Sequence, residues 1–179
     1  MVLRSRRGFT LVEVMMSTVI MMVVVSTIYL MLTAGRVSWQ TNSLKLSLRS
    51  ECVKALREMD VAIREASPGQ LFASGGVLVC RIPGDGDNDG DAIDPTGGVE
   101  WGALLQFSLG GTDGEQLIRT DGLGSNRIVA NHITGLQFAV DDPGDPGEVA
   151  VTVTASDTTP SGFVLMETLE RTISLRNEG

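Results

Sequence analysis

The sequence predicts an α+β chain in which a long N-terminal helix, half membrane-spanning and half amphipathic, packs on an antiparallel β-sheet domain. Three observations lead there. An apolar stretch fills residues 9–32. A one-sided helical stripe follows over residues 44–66. From residue 70 onward, short alternating runs are separated by glycine-, aspartate- and proline-rich turns. At 179 residues this is one modest domain with an appendage, and a hydrophobic content of 42% is too high for a disordered chain.

Phe9 to Leu32 comprises 24 residues whose only charge is Glu13. As a helix it would be about 36 Å long, enough to cross a hydrocarbon layer of about 30 Å with some tilt. A helix buried in a soluble core keeps a polar stripe, whereas Met21 to Val25 leaves no face polar. A cleaved secretory signal fits poorly, because the apolar run is too long and ends in no A-x-A-like site. The bases Arg4, Arg6 and Arg7 cluster at the start and favour a cytoplasmic N-terminus, although Arg36, Lys45 and Arg49 follow the span. Glu13 sits in the first helical turns, where the helix dipole favours a carboxylate.

Beyond Arg36 the pattern turns amphipathic. Leu44, Leu48, Cys52, Ala55, Met59, Ala62 and Ala66 recur every three or four residues, with Lys45, Arg49, Glu51, Lys54, Arg57, Glu58 and Glu65 opposite. Pro68-Gly69 ends the helix near Ala66. A helix from Phe9 to Ala66 would be about 85 Å long. A coiled-coil seam would leave the same stripe, but the β-rich remainder needs a helix to cover it.

Seven strands are predicted in meander order, over 76–82, 100–109, 116–119, 127–130, 133–140, 148–155 and 164–175. Leu136 to Val140 and Val149 to Val153 alternate well. Turn clusters stand at 110–114 and 141–147. The chain thus divides into residues 1–8, 9–35, 36–67 and 68–179.

A net charge of −8 with 4% aromatics excludes nucleic-acid binding by phosphate neutralisation or base stacking. The chain has no G-x-S-x-G, phosphate loop or H-E-x-x-H, and His132 stands where a strand begins without a nucleophile motif. No catalytic residue and no enzyme activity are expected. Trp39 and Trp101 read as packing or interface anchors. Asp85, Asp87, Asp89, Asp91 and Asp94 crowd five carboxylates into ten residues. The spacing D-x-D-x-D-G resembles the first half of a calcium loop, with Asp91 supplying a backbone carbonyl at the seventh position. Thr96 stands at the twelfth, so Asp94 or Glu100 would finish the Ca2+ shell; a solvated acidic loop is the alternative. Cys52 and Cys80, the only cysteines, permit a helix-to-strand disulfide of about 3–4 kcal/mol, or two buried thiols.

The segment Arg6-Arg7-Gly8-Phe9-Thr10-Leu11-Val12-Glu13, followed by about twenty apolar residues, resembles the N-terminus of type IV prepilins and type II secretion pseudopilins. The resemblance implies that a membrane prepilin peptidase cuts between Gly8 and Phe9 and methylates the new Phe9 amine. Loss of the three leader arginines would take the net charge from −8 to −11. It further implies that Glu13 pairs with the Phe9 ammonium of another subunit, so that other pilins or pseudopilins are the partners; within the chain the two are four residues apart, which permits a self-pair before assembly. The implied location is the inner membrane, single-pass with the β domain in the periplasm, before entry into a pilus or pseudopilus. The apolar helix lacks the proline that many major pilins carry, which fits a minor pilin or pseudopilin. The β region and the ending Thr172-Ile173-Ser174-Leu175-Arg176-Asn177 resemble minor pilins and J-type pseudopilins.

Overall fold

The computed structural model describes residues 9–85, 90, 92–142 and 147–175. They fall into two compact units, one ending at Asn42 and the other starting at Ser43. A single helix, α1 (Leu11–Glu65), runs through both.

In the first unit the large apolar side chains of α1 all stand open, from Val24 at 47% exposed to Leu11 at 77%. Serine and threonine hydroxyls along it bond back to the preceding turn of the helix. Ser17 Oγ donates to the Glu13 carbonyl at 2.7 Å, Ser26 to Met22 at 2.8 Å and Thr27 to Val23 at 2.9 Å. A hydroxyl that bonds its own preceding turn asks little of its surroundings, so these positions do not interrupt the apolar surface.

The second unit is built on the amphipathic half of α1. Leu48, Cys52, Ala55, Leu56, Met59, Ala62 and Ile63 are buried, and Leu44 packs against them. Leu56 and Ile63 widen the stripe beyond the narrow seam read from the sequence, because two sheets rather than one rest on it. The first is an antiparallel meander of β1 (Leu71–Ser74), β2 (Val77–Pro83), β3 (Trp101–Gly110), β4 (Gln116–Asp121) and β5 (Asn126–Asn131). The second comprises β6 (Ile133–Val140), β7 (Glu148–Thr158) and β8 (Val164–Ser174), also antiparallel. Leu78, Cys80, Leu105, Phe107 and Leu117 enter the core from the first sheet; Ile133, Val149, Val151, Val153 and Ile173 enter from the second. Alternation along β7 is strict from Val149 to Ala155, as its sequence demands.

The α+β class and the antiparallel meander agree with the expectation, with two differences. β1 was not anticipated. It is four residues long and joins β2 through Gly75-Gly76, both at positive φ (55° and 80°), as a two-residue hairpin turn requires. The sheet also divides at His132, which at φ 59° turns the chain from β5 into β6 in a single step. Ile133 N still donates to Glu115 O at 2.9 Å, so the break stays anchored to the first sheet.

Acids flanking the buried stripe reach both sheets. Glu58 Oε2 lies 2.7 Å from Arg127 and 3.5 Å from Arg119, and Asp60 Oδ2 lies 3.5 Å from Arg171 of β8. Glu51 Oε2 accepts from Asn131 N at 2.9 Å. These half-exposed pairs contribute little net energy each, and they fix the helix's rotation against the sheets.

Candidate processing and assembly site

The start of α1 is set by Thr10. Glu13 N donates to Thr10 Oγ1 at 3.3 Å and to Thr10 O at 3.1 Å, and Val14 N donates to Thr10 O at 3.2 Å. Thr10 is therefore the N-cap, and Thr10-Leu11-Val12-Glu13 has the T-x-x-E spacing of a capping box. That spacing is legible in the sequence. It places Glu13 in the first turn of the helix, at the positive end of the dipole. Among the described residues the Glu13 carboxylate has no partner. Phe9, just before the cap, is 82% exposed. Gly8 and the arginines at 4, 6 and 7 lie outside the described residues.

This end of α1 can hold a carboxylate at a fixed height on an otherwise apolar surface. The apolar window has a mean hydropathy of 2.2, and none of it is buried. A soluble protein's core helix would be covered, so the open surface favours membrane anchoring.

In the acidic loop, the residues at 87, 89 and 91 lie outside the described residues, leaving Asp85 and Asp94. Asp85 Oδ2 accepts from Gly90 N at 3.0 Å, which folds the carboxylate over its own loop. Asp94 Oδ1 accepts from Thr96 N at 2.7 Å, and this bond holds the Asp94 carboxyl below its usual range. Gly97 N closes the turn on Asp94 O at 2.7 Å. Glu100 ties the loop's two ends through its backbone, donating to Ala92 O and accepting from Gly84 N. Among the described residues no three His, Cys, Asp or Glu side chains gather as metal ligands.

The cysteines take the second of the two arrangements left open by the sequence. Cys52 and Cys80 are both free and fully buried. Cys52 Sγ turns to the second sheet, 3.9 Å from Val153 O and 3.8 Å from Glu167 O, whereas Cys80 belongs to β2 of the first sheet. Burial raises both thiols, Cys80 to about 11. Native protein at pH 8 should therefore resist iodoacetamide, and denaturation without reductant should expose both thiols to it. A requirement for reductant before labelling would demonstrate a bridge.

A cleft of about 330 Å3 opens beside α1, lined by Glu51, Asp113, Glu115, Gln116, Asn131 and His132 among others. Asp113 (φ 57°) and His132 are the two non-glycine residues at positive φ among those described. Burial pushes the Glu51 carboxyl up, but Lys54 and the Asn131 N–H outweigh it and hold the group below its ordinary value. His132 Nδ1 lies 3.7 Å from Asp157 Oδ2, and the residue is the exposed junction between the two sheets.

Residues 3–29 match the model of the prokaryotic N-terminal methylation motif. No curated protein and no solved structure matches the chain. The motif takes in Phe9, Thr10 and Glu13 and continues along the uncovered apolar helix. Together, the motif and its long apolar helix are consistent with the type IV pilin and pseudopilin family, and they mark the chain as a pilin-like substrate of prepilin peptidase.

Proposed function

We propose that the chain is a minor pilin or pseudopilin, a structural subunit rather than an enzyme, that helps initiate or cap a type IV pilus or type II secretion pseudopilus. Prepilin peptidase cuts between Gly8 and Phe9 and methylates Phe9, and the chain waits in the inner membrane with its β domain in the periplasm. The methylation motif on an uncovered apolar helix carries this reading. The capped first turn supports it further. Thr10 caps the turn that carries Glu13, and pairing that carboxylate with a second subunit's Phe9 ammonium would compensate two charges that are costly alone in hydrocarbon. Intact mass of the membrane-extracted protein tests the processing step. Loss of residues 1–8 with one added methyl group is expected; an unprocessed Met1, or cleavage beyond Leu32, would sink the reading.

The acidic loop favours a second reading, a membrane-tethered or pilus-tip module whose binding depends on calcium. The Asp85 carboxylate clasping Gly90 N–H spans the first and sixth positions of the expected loop, and glycine there is at φ 104°. Asp85, Asp87, Asp89, the Asp91 carbonyl and Asp94 are the proposed ligands. Added Ca2+ should raise the β domain's melting temperature and chelator should reverse the rise. A melting temperature indifferent to both would refute the site.

A further inference from the structure

We propose that Trp39, together with Arg36, forms an interfacial anchor that seats α1 in the outer headgroup layer of the membrane while the subunit awaits assembly. The proposal rests on the membrane-spanning half of the reading above and adds a lipid contact at its far end. Trp39 is 76% exposed on α1, a large aromatic ring left open on the helix just beyond the apolar run.

Distances along the first unit place the ring. Between Glu13 and Arg36 no residue is charged. That separation corresponds to about 35 Å of helix, which spans a hydrocarbon layer of about 30 Å at a tilt of about 30°. At the same tilt Phe9 and Trp39 stand about 39 Å apart across the membrane, close to the ~40–45 Å of a bilayer with its headgroup layers. A helical side chain leans toward the N-terminus and covers the turn before its own Cα. The Trp39 indole accordingly shares a notch with Met31, Leu32, Gly35 and Arg36, back toward the apolar run. A Cβ at Gly35 would meet nothing within 4 Å, so the notch is open to an acyl chain.

The chemistry suits the boundary. The ring supplies an apolar body on the membrane side and an N–H donor for a lipid carbonyl or phosphate. Arg36 can run its stem along the same apolar surface and present its guanidinium to phosphate. The notch is continuous with the uncovered apolar surface of α1, and lipid is the partner that wets both.

The test uses the processed full-length chain in phosphatidylcholine vesicles brominated either just below the headgroup or near the acyl-chain end. Tryptophan emission should fall about twofold more with shallow than with deep bromine, as an interfacial ring requires. This depth-dependent loss should vanish in Trp39→Phe, which leaves Trp101 as the remaining tryptophan. Emission indifferent to bromine, stronger quenching by deep bromine, or quenching unchanged in Trp39→Phe would each overturn the anchor. Intact mass on the same sample reads leader removal, so failure of the anchor and failure of the pilin reading give different results.

Discussion

Glu13→Ala and Glu13→Gln should each lower incorporation into sheared filaments at least tenfold while leaving leader removal and Phe9 methylation intact. The magnitude follows from the site. In hydrocarbon an unpaired carboxylate costs about 2.5–3.5 kcal/mol, and an unpaired ammonium is comparably costly. Glu13 stands in the first turn of α1 with no partner among the described residues, and on the proposed reading its compensating cation in the filament is the Phe9 ammonium of another subunit. Gln keeps the size and polarity but removes the charge. A Gln variant that assembles normally would show that Glu13 merely reaches the headgroups. Incorporation is read as the ratio of chain in the sheared fraction to chain in the membrane, with intact mass confirming processing.

Phe107→Ala should cost the β domain about 3–5 kcal/mol, the range for truncating a fully buried aromatic. Phe107 is the largest fully buried side chain, and it sits on β3 directly opposite Leu78 of β2, also fully buried. The sheet cannot collapse into the space, because both neighbours are held in register and α1 closes the core. Pulse proteolysis of the full chain in detergent, across a urea series, should show the midpoint fall with an unchanged slope. Ile128→Ala, on the exposed side of β5 at 54% exposure, should stay within about 0.5 kcal/mol. If Phe107→Ala matched Ile128→Ala, the core would not be closed where α1 is placed over it.

Periodicity made the helix, its buried stripe and seven of the eight strands legible in the sequence. Those segments are long enough, or alternate cleanly enough, for burial to leave a pattern. β1 escaped because Leu71-Phe72-Ala73-Ser74 is too short to alternate convincingly, and its real signal was Gly75-Gly76 between two apolar runs. The split into two sheets escaped for another reason. It depends on one residue, His132, adopting a left-handed backbone that its side chain does not announce. Glu51 and Glu58 were placed on the solvated face of the helix, yet they flank the stripe and reach Asn131, Arg119 and Arg127. Helical spacing gives the angle of a residue and not the width of what rests on the helix. At the N-terminus the motif was readable because its spacing is short and local. The Cys52–Cys80 pairing was not, since a count of two says nothing about which sheet each thiol faces.

The meander order has a kinetic consequence. Within each sheet every strand pairs with its neighbour in sequence, so both sheets can close by local hairpins as the chain emerges, N-terminus first. The stripe on α1 has no such convenience. It is synthesised before any strand, and Val153 and Ile173, which help bury it, arrive about a hundred residues later. Until β7 and β8 form their hairpin, the part of the Leu48–Ile63 face that the second sheet covers stays open on a completed helix. Membrane tethering keeps that half-made chain dilute in one layer and away from copies of itself. For this fold the anchor is thus also a safeguard during the interval in which the domain is most prone to aggregate.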